Sequence, residues 1–288
     1  MHSTLISTSG LAAHLDDASW VVCDCRHDLA DAESGRRAYA ESHIPRARFV
    51  HLDEDLSAPK TGKNGRHPLP DPDKFVQRLG EMGIDGAKQV IAYDSSGGPY
   101  AARLWWMLRW LGHDAVAVLD GGWNAWAKAG NPVTAKFPAI QPAKFIARPR
   151  PGLARDAKTI ADGMAKPAPL LVDARAPNRF RGESETLDPV AGHIPGAANR
   201  FFQLNLDANG SFKQPDALRQ EFEAVIGAKA PSDVVHYCGS GVTACHNLLA
   251  MEAAGLSGSR LYPGSWSEWC SDPSRPVARG SVEQGPHS

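Results

Sequence analysis

The sequence predicts an α/β fold of two tandem domains, each a parallel sheet flanked by helices. Three observations support this prediction. A set of motifs occurs twice in the same order, short apolar runs alternate with helical patterns within each copy, and a length of 288 residues suits about two domains. Because the copies lie roughly 145–150 residues apart, a period too long for a solenoid, they indicate two homologous domains.

Four motifs define the repeat. In the first copy they are VVCDCR (21–26), SHIPRA (42–47), VIAYDSSGG (90–98) and LDGGWNAW (119–126). In the second copy they are LLVDAR (170–175), GHIPGA (192–197), VVHYCGSGV (234–242) and YPGSWSEW (262–269). We therefore predict domains over residues 1–138 and 156–288, joined by a linker over residues 139–155 that is rich in Pro, Ala and Lys.

Short β-rich runs in each copy predict a parallel sheet buried on both faces. These runs are VVCD, VIAYD and AVAVLD in the first copy and LLVDA, VVHYC and SRLY in the second. Residues 101–112 and 244–255 predict helices that each end at a glycine. In both copies a strand thus ends in a tight Gly/Ser loop that opens a helix, which is where doubly wound sheets place ligands.

Composition and charge exclude several classes of protein. Lys and Arg total 31 against 32 Asp and Glu, so no basic field predicts nucleic-acid binding. The absence of a long apolar stretch predicts no membrane span, and the N-terminal sequence does not resemble a signal peptide. The odd count of five cysteines argues against a disulfide framework and for a reducing, cytoplasmic setting.

Cys238 is the candidate nucleophile, because it stands where the predicted strand turns into the loop CGSGVT. Gly239 and Gly241 permit backbone geometries that are closed to other residues. Such a loop, continued through Val242 and Thr243, aims amide N–H groups inward beside the positive end of the following helix. This setting favours a thiolate, which can attack a sulfur donor and then be held as a persulfide anion.

Other roles for the cysteines fit the sequence less well. A cysteine phosphatase would need an arginine at position 244 to clamp phosphate, and the chain has Ala244. The remaining cysteines are interpreted as structural, with Cys245 as an alternative resolving thiol; they are Cys23, Cys25, Cys245 and Cys270. No motif predicts a metal or a cofactor.

The repeated D-x-R, HIPGA, Cys-loop and G-x-W motifs resemble the rhodanese superfamily over nearly the whole chain. The resemblance implies two rhodanese-like domains, of which the first is inactive because Asp94 stands at the cysteine position. The loop CGSGVT is typical of members that act on 3-mercaptopyruvate. It implies that sulfur passes to Cys238 as a persulfide, that pyruvate leaves, and that a thiol such as thioredoxin or a small thiol, or cyanide, accepts the sulfur.

The resemblance also implies roles for four further residues. Ser240, His67 and Asp53 match a triad-like proton relay, in which His accepts a proton while Asp fixes its tautomer. Arg179 matches the arginine that binds the donor's carboxylate. The family has a second arginine about nine residues later, where this chain has Asp188; either Arg181 or another basic group then substitutes, or the substrate preference differs.

Two alternatives stay open at this point. The first is thiosulfate:cyanide sulfurtransfer, against which the loop's lack of basic residues argues. The second is a sulfur-relay module that carries a persulfide on Cys238 to a partner with little turnover of small donors. A complete proton relay argues against this second alternative.

Overall fold

The computed structural model describes residues 1–164 and 169–280. The chain folds into two compact units. Unit 1 comprises Met1–Pro59, Leu69–Pro151 and Leu206–Lys213, and unit 2 comprises Lys60–Pro68, Gly152–Asn205 and Gln214–Ser288. The last part of the predicted second domain, residues 281–288, lies outside the described residues.

Unit 1 contains five strands and five helices in its described part. The strands are β1 (Leu5–Ile6), β2 (Trp20–Asp24), β3 (Arg48–Phe49), β4 (Gln89–Tyr93) and β5 (Val116–Leu119). The helices are α1 (Thr8–Ala12), α2 (Ser34–Glu41), α3 (Pro72–Glu81), α4 (Pro99–Trp110) and α5 (Gly122–Lys128). The strands form one parallel sheet in the order β1-β5-β4-β2-β3.

Unit 2 repeats this plan with one strand fewer among its described residues. Its strands are β6 (Leu170–Asp173), β7 (Ala198–Asn199), β8 (Val234–Tyr237) and β9 (Arg260–Leu261). Its helices are α6 (Ala157–Gly163), α7 (Pro177–Phe180), α8 (Pro215–Ile226), α9 (Thr243–Ala253) and α10 (Ser265–Trp269). The sheet is parallel in the order β7-β6-β8-β9, which matches β3-β2-β4-β5 of unit 1 and confirms the predicted fold class.

The central strands are buried on both faces, as their apolar sequences predict. Every residue of β4 and of β8 is buried. Each sheet packs into its own apolar cluster, which includes Trp126 in unit 1 and Trp266 and Trp269 in unit 2. At roughly 25 cal/mol per Å² of apolar surface, burial of such large rings is a main source of each unit's stability.

The segment predicted as a linker has no helix or strand between residues 139 and 150. It is nevertheless bound to unit 1, because the amides of Ala143, Arg148 and Arg150 donate to backbone carbonyls of that unit. The Phe145 side chain is also buried. This part of unit 1 ends at Pro151, so the first of the two units extends through most of the predicted linker.

Candidate active site

Cys238 lies directly after β8, at the carboxyl edge of the unit 2 sheet, with 2% of its surface exposed. The amide N–H of Gly241 donates to its Sγ at 3.1 Å. Its own backbone is fixed as well, since its N–H donates to Ser265 Oγ at 3.1 Å and its carbonyl accepts from the Trp266 N–H at 3.0 Å. The sulfur is thus positioned by the loop and receives a backbone donor that favours negative charge on it.

The two glycines of the loop are required for different physical reasons. Gly241 has φ +80°, and a Cβ there would stand 2.2 Å from the carbonyl oxygen of Pro263. At Gly239 a Cβ would instead come within 2.6 Å of Arg66 Nη2 and 3.6 Å of Arg179 Nη1. Gly241 therefore allows the turn of the loop, whereas Gly239 leaves room for the Arg66 guanidinium and has Arg179 at ordinary contact distance.

Val242 and Thr243 lead the loop into the 11-residue helix α9, of which Val242 is the N-cap and Thr243 the first residue. The first amides of a helix have no intrahelical acceptor, and the helix dipole makes this end positive. Both residues therefore lie where their amides add to a field that favours an anion. Their direct contact with substrate stays a prediction.

Two members of the predicted proton relay meet in unit 2. His67 Nδ1 lies 2.7 Å from Ser240 Oγ, and both side chains are buried. Asp53 belongs to unit 1, in the loop after β3, where its amide donates to His51 Nδ1 at 3.1 Å. The Ser–His pair can pass a proton between hydroxyl and imidazole, and the part of Asp53 stays a prediction.

Arg179 lies at the end of α7 and is held by two buried carboxylates. Its Nη2 donates to Glu185 Oε1 at 2.8 Å and lies 3.4 Å from Asp188 Oδ2. Burial alone would raise the pKa of Glu185, but the hydrogen bonds from Arg179 and from backbone amides hold that pKa below its usual range. Glu185 is therefore a carboxylate at neutral pH, and it orients the guanidinium.

Arg66 is a residue of this site that the sequence analysis did not single out. It forms an ion pair with Asp188, and its amide donates to Ser267 Oγ at 3.0 Å. Arg181, the named alternative for the missing second arginine, instead pairs with the exposed Glu183 at 2.7 Å. Two features of the sequence could have indicated Arg66. It directly precedes His67, and the acidic residue at position 188 needs a cationic partner when it is buried.

The residues beneath the loop act as a brace. Arg175 donates to Asp173 Oδ2 at 2.7 Å and to the carbonyl of Gly192 at 2.7 Å, with 1% of its side chain exposed. Its guanidinium also lies 4.9 Å from the ring centroid of Trp266. Such a buried, fully bonded pair fixes the end of β6, the strand that pairs with β8, but is closed to substrate.

The other cysteines differ from Cys238 in their surroundings. Burial raises the pKa of Cys23 to about 12 and that of Cys270 to about 11, and it also raises the pKa of Cys25. Cys245 is buried in α9 and its Sγ donates to the carbonyl of Gly241 at 3.3 Å. Cys23, Cys25 and Cys270 are therefore protonated and unreactive at neutral pH, which fits the structural role predicted for them.

A cysteine held at a strand-to-helix turn, with one backbone amide donating to its sulfur and guanidinium groups beside the loop, defines a cysteine-dependent group-transfer enzyme that acts on anionic substrates. The Rhodanese-like domain family model matches residues 7–129 and 156–272. The chain therefore belongs to the rhodanese-like family. Among the described residues, no helix has the length and apolar character that crossing a membrane requires.

Related proteins agree with this assignment. The chain is 48% identical over 278 residues to "Probable 3-mercaptopyruvate sulfurtransferase" of Pseudomonas aeruginosa, which covers 96% of this chain and 98% of the relative. It is 35% identical over 261 residues to "Thiosulfate sulfurtransferase" of Bos taurus, covering 88% and 83%. The structure of a 3-mercaptopyruvate sulfurtransferase from Leishmania major has a TM-score of 0.82 at 31% identity, covering 93% and 74%. The predicted family and the predicted sulfurtransferase class are confirmed.

Proposed function

We propose that this protein transfers sulfur from 3-mercaptopyruvate to a thiol or cyanide through a persulfide on Cys238. The observation that carries the proposal is the hydrogen bond from the Gly241 amide to Cys238 Sγ, in a loop flanked by Arg66 and Arg179. The amide favours an anionic sulfur, and the guanidinium groups favour a carboxylate next to it. The chain's similarity to named 3-mercaptopyruvate sulfurtransferases supports the same donor.

The first half-reaction forms one S–S bond and breaks one C–S bond. The Cys238 thiolate attacks the donor's sulfur, and the C–S electron pair leaves as the enolate of pyruvate. The enolate takes up a proton at carbon to give pyruvate, while the donor's S–H proton is released from the new persulfide. Ser240 and His67, 2.7 Å apart, supply the path by which this proton moves, with Asp53 as the proposed orienting group.

The second half-reaction returns the enzyme to its starting state. An acceptor thiolate or cyanide attacks the outer sulfur of the persulfide, and Cys238 leaves as a thiolate. The loop amides of residues 239–243 stabilise both the thiolate and the persulfide anion. Because the sulfur is held covalently on Cys238 between the two half-reactions, the cycle is ping-pong. Thioredoxin or a small thiol is the proposed acceptor, and the cytoplasm is the proposed compartment, which the five free cysteines support.

Catalysis takes place at the second copy of the repeat and not at the first. Asp94 replaces the nucleophile in the first copy, and four backbone amides already bind its carboxylate. The predicted domains, residues 1–138 and 156–288, stay part of this proposal. A thiol reagent that inactivates the enzyme should therefore modify Cys238 and nothing in the first copy.

The test compares kcat/KM for 3-mercaptopyruvate with kcat/KM for thiosulfate, using Cys238→Ser as the blank. We expect 3-mercaptopyruvate to be preferred and the blank to be inactive with both donors. Thiosulfate transfer is the second candidate, favoured by the similarity to the bovine enzyme. A thiosulfate advantage of more than about tenfold, or 1.4 kcal/mol, would replace the first candidate by the second.

The relay is tested separately through Ser240→Ala. We expect a fall in kcat for 3-mercaptopyruvate of roughly 10²-fold, the lower range for a lost proton-transfer group. A persulfide that forms on Cys238 with either donor but turns over slowly would instead indicate a sulfur carrier. Unchanged kcat in Ser240→Ala would remove this hydroxyl from the mechanism.

A further inference from the structure

Ser267, in the middle of α10, bonds to both segments that carry the Ser–His pair. Its backbone N–H donates to the carbonyl of Gly239, the residue before Ser240, at 2.9 Å. Its Oγ accepts from the N–H of Arg66, the residue before His67, at 3.0 Å. One residue of unit 2 therefore binds the backbone of the cysteine loop on one side and the backbone of the segment that carries the histidine on the other.

The hydroxyl of Ser267 is arranged to accept from the Arg66 amide. A serine hydroxyl has one O–H donor and two lone pairs. The donor is directed to the carbonyl of Gly264, three residues earlier, at 3.3 Å, so the lone pairs remain for the amide. Gly65 makes this approach possible, because a Cβ there would stand 2.8 Å from the Gly264 carbonyl oxygen and 3.2 Å from Ser267 Oγ.

These two bonds close a ring with the contact between Ser240 and His67. The two side chains meet at 2.7 Å although their residues are 173 positions apart in sequence. Each of them directly follows a residue whose backbone is bound by Ser267. The distance between the hydroxyl and the imidazole is therefore set locally, by the one residue that holds both backbones.

The first copy of the repeat uses the matching position differently. Asn124 stands where the second copy has Ser267, and Ser95 stands where it has Gly239. The Asn124 side chain bonds to its own loop, since its Nδ2 donates to the Ser95 carbonyl at 3.1 Å. In the second copy the main chain of Ser267 makes this bond, which leaves the side chain to bind another segment. The copy that carries the nucleophile is thus the one in which this side chain reaches beyond its own loop.

We infer that Ser267 is a positioning residue of the proton relay, which holds His67 within reach of Ser240. The inference rests on the proposed function and adds to it a residue that acts through the histidine. Without the hydroxyl, the Arg66 amide loses its acceptor and the segment is free to move away from the loop. A shift of more than about 0.5 Å would take the two atoms of the pair beyond roughly 3.2 Å, the outer limit for direct proton transfer.

Ser267→Ala removes the hydroxyl and keeps the backbone bond to Gly239. We expect kcat for 3-mercaptopyruvate to fall about tenfold, the effect of one lost hydrogen bond. Ser267→Thr restores a hydroxyl at the same place and should return kcat to within about threefold of the wild-type value. Unchanged kcat in Ser267→Ala, or an equal loss in Ser267→Thr, would overturn the inference.

Ser271→Ala is the matched control, because Ser271 also faces the segment that carries His67. Its Oγ lies 3.5 Å from the Lys63 carbonyl, at the limit of a hydrogen bond, and donates to the Glu268 carbonyl at 2.8 Å. We expect kcat to change by less than about twofold in this variant. A loss as large as that in Ser267→Ala would show that any weakening of the segment slows the enzyme, and would contradict a specific role for Ser267.

A double variant separates positioning of the relay from a general effect on the fold. If Ser267 acts through the pair, its removal has nothing further to impair once the Ser240 hydroxyl is gone. We therefore expect Ser240→Ala/Ser267→Ala to have a kcat within about twofold of that of Ser240→Ala alone. A further tenfold loss would overturn the inference.

The same series distinguishes this inference from the proposed function. If the wild-type enzyme fails to use 3-mercaptopyruvate, or if Ser240→Ala keeps full kcat, the proposed function or its relay fails. If the wild type is active and Ser240→Ala is impaired while Ser267→Ala behaves like wild type, only the positioning role of Ser267 fails.

Discussion

The loops that follow β4 and β8 have the same strand-to-helix design but hold different side chains. In unit 1 the Asp94 carboxylate is 1% exposed. It accepts four hydrogen bonds of 2.8–3.0 Å from the backbone amides of Ser96, Gly98, Tyr100 and Ala101. Burial raises the pKa of Asp94, and the four amides oppose this rise.

In unit 2 the matching position holds Cys238, whose Sγ accepts from the Gly241 amide. The turn itself is therefore a receptor for negative charge, whatever side chain stands at its start. A carboxylate fills the receptor permanently in the first copy. In the second copy, where a cysteine takes the place of the carboxylate, the same receptor can bind the sulfur that the enzyme transfers.

The largest expected effect comes from making the second loop like the first, through Cys238→Asp. We expect sulfurtransfer to fall by more than about 10³-fold, because a carboxylate cannot carry sulfane sulfur. The variant should still fold, since the loop amides receive an anion as they do in unit 1; circular dichroism and specific activity measure the two effects. Cys245→Ser is the control, and a large loss of activity there would instead support a resolving thiol.

The next effect separates two glycines at matching positions, Gly241 and Gly97, which have φ +80° and +86°. A Cβ at Gly241 meets the backbone oxygen of Pro263 at 2.2 Å, whereas at Gly97 it meets only the end of the Leu206 side chain at 2.6 Å. We expect Gly241→Ala to cost about 3 kcal/mol or more in the free energy of unfolding and Gly97→Ala about 1–2 kcal/mol. Urea unfolding of both variants measures the difference, and equal costs would contradict the steric argument.

A smaller effect concerns the residue that precedes the repeated tryptophan. Ser265 has φ +54° and the matching Gly122 has φ +55°, so unit 2 adopts with a serine a conformation that favours glycine. The serine hydroxyl accepts from the Cys238 amide and donates to the Tyr262 carbonyl at 2.9 Å. This bonding offsets a strain of about 1–2 kcal/mol.

Two variants divide the role of Ser265 into hydroxyl and backbone. We expect Ser265→Ala and Ser265→Gly to lose a similar few-fold to tenfold in kcat/KM, because each removes both hydrogen bonds of the hydroxyl, and the one to the Cys238 amide, of about 1 kcal/mol, holds the nucleophile's backbone. Ser265→Gly should be more stable than Ser265→Ala by about 1 kcal/mol, since it relieves the strain. Equal unfolding free energies would show that the left-handed geometry carries no cost here.

The sequence predicted the parts of this comparison that depend on local pattern. Strands β2, β4, β5, β6, β8 and β9, helices α4 and α9, and the position of Cys238 follow from apolar runs, glycine stops and the repeat itself. Strands β1, β3 and β7 have two residues each, too few for any periodicity to be read. These strands are defined only by their pairing with a neighbour.

The rest could not be predicted because it depends on contacts between residues distant in sequence. Arg66 and Asp188 are 122 residues apart, and the segment Lys60–Pro68 packs with the second unit although it lies within the first copy. Ser265 contradicts the local preference for glycine at positive φ, and only its hydrogen bonds explain the exception. The missed residues are thus those on which tertiary contacts act most strongly.

The smallest effect that we expect at neutral pH is on the free energy of unfolding, and it comes from His236. This residue of β8 matches Ala92 of β4. Complete burial lowers the pKa of His236 from 6.5 to about 3, and its Nε2 lies 3.0 Å from Met251 Sδ. Between these two values the unfolded chain binds a proton that the folded chain does not. The stability of unit 2 therefore falls as the pH drops below about 6.5, by about 1.4 kcal/mol per pH unit until about pH 3.

His236→Leu removes this titration and places an apolar side chain of similar size against Met251. We expect the wild-type protein to lose about 2 kcal/mol more of its unfolding free energy than the variant when the pH is lowered from 7 to 5. The titration of all other groups is common to both proteins, so it cancels in the difference. If the curves of unfolding free energy against pH were parallel for the wild-type protein and the variant, the histidine would be protonated as readily in the folded chain as in the unfolded chain. Water would then reach β8, the strand that precedes Cys238.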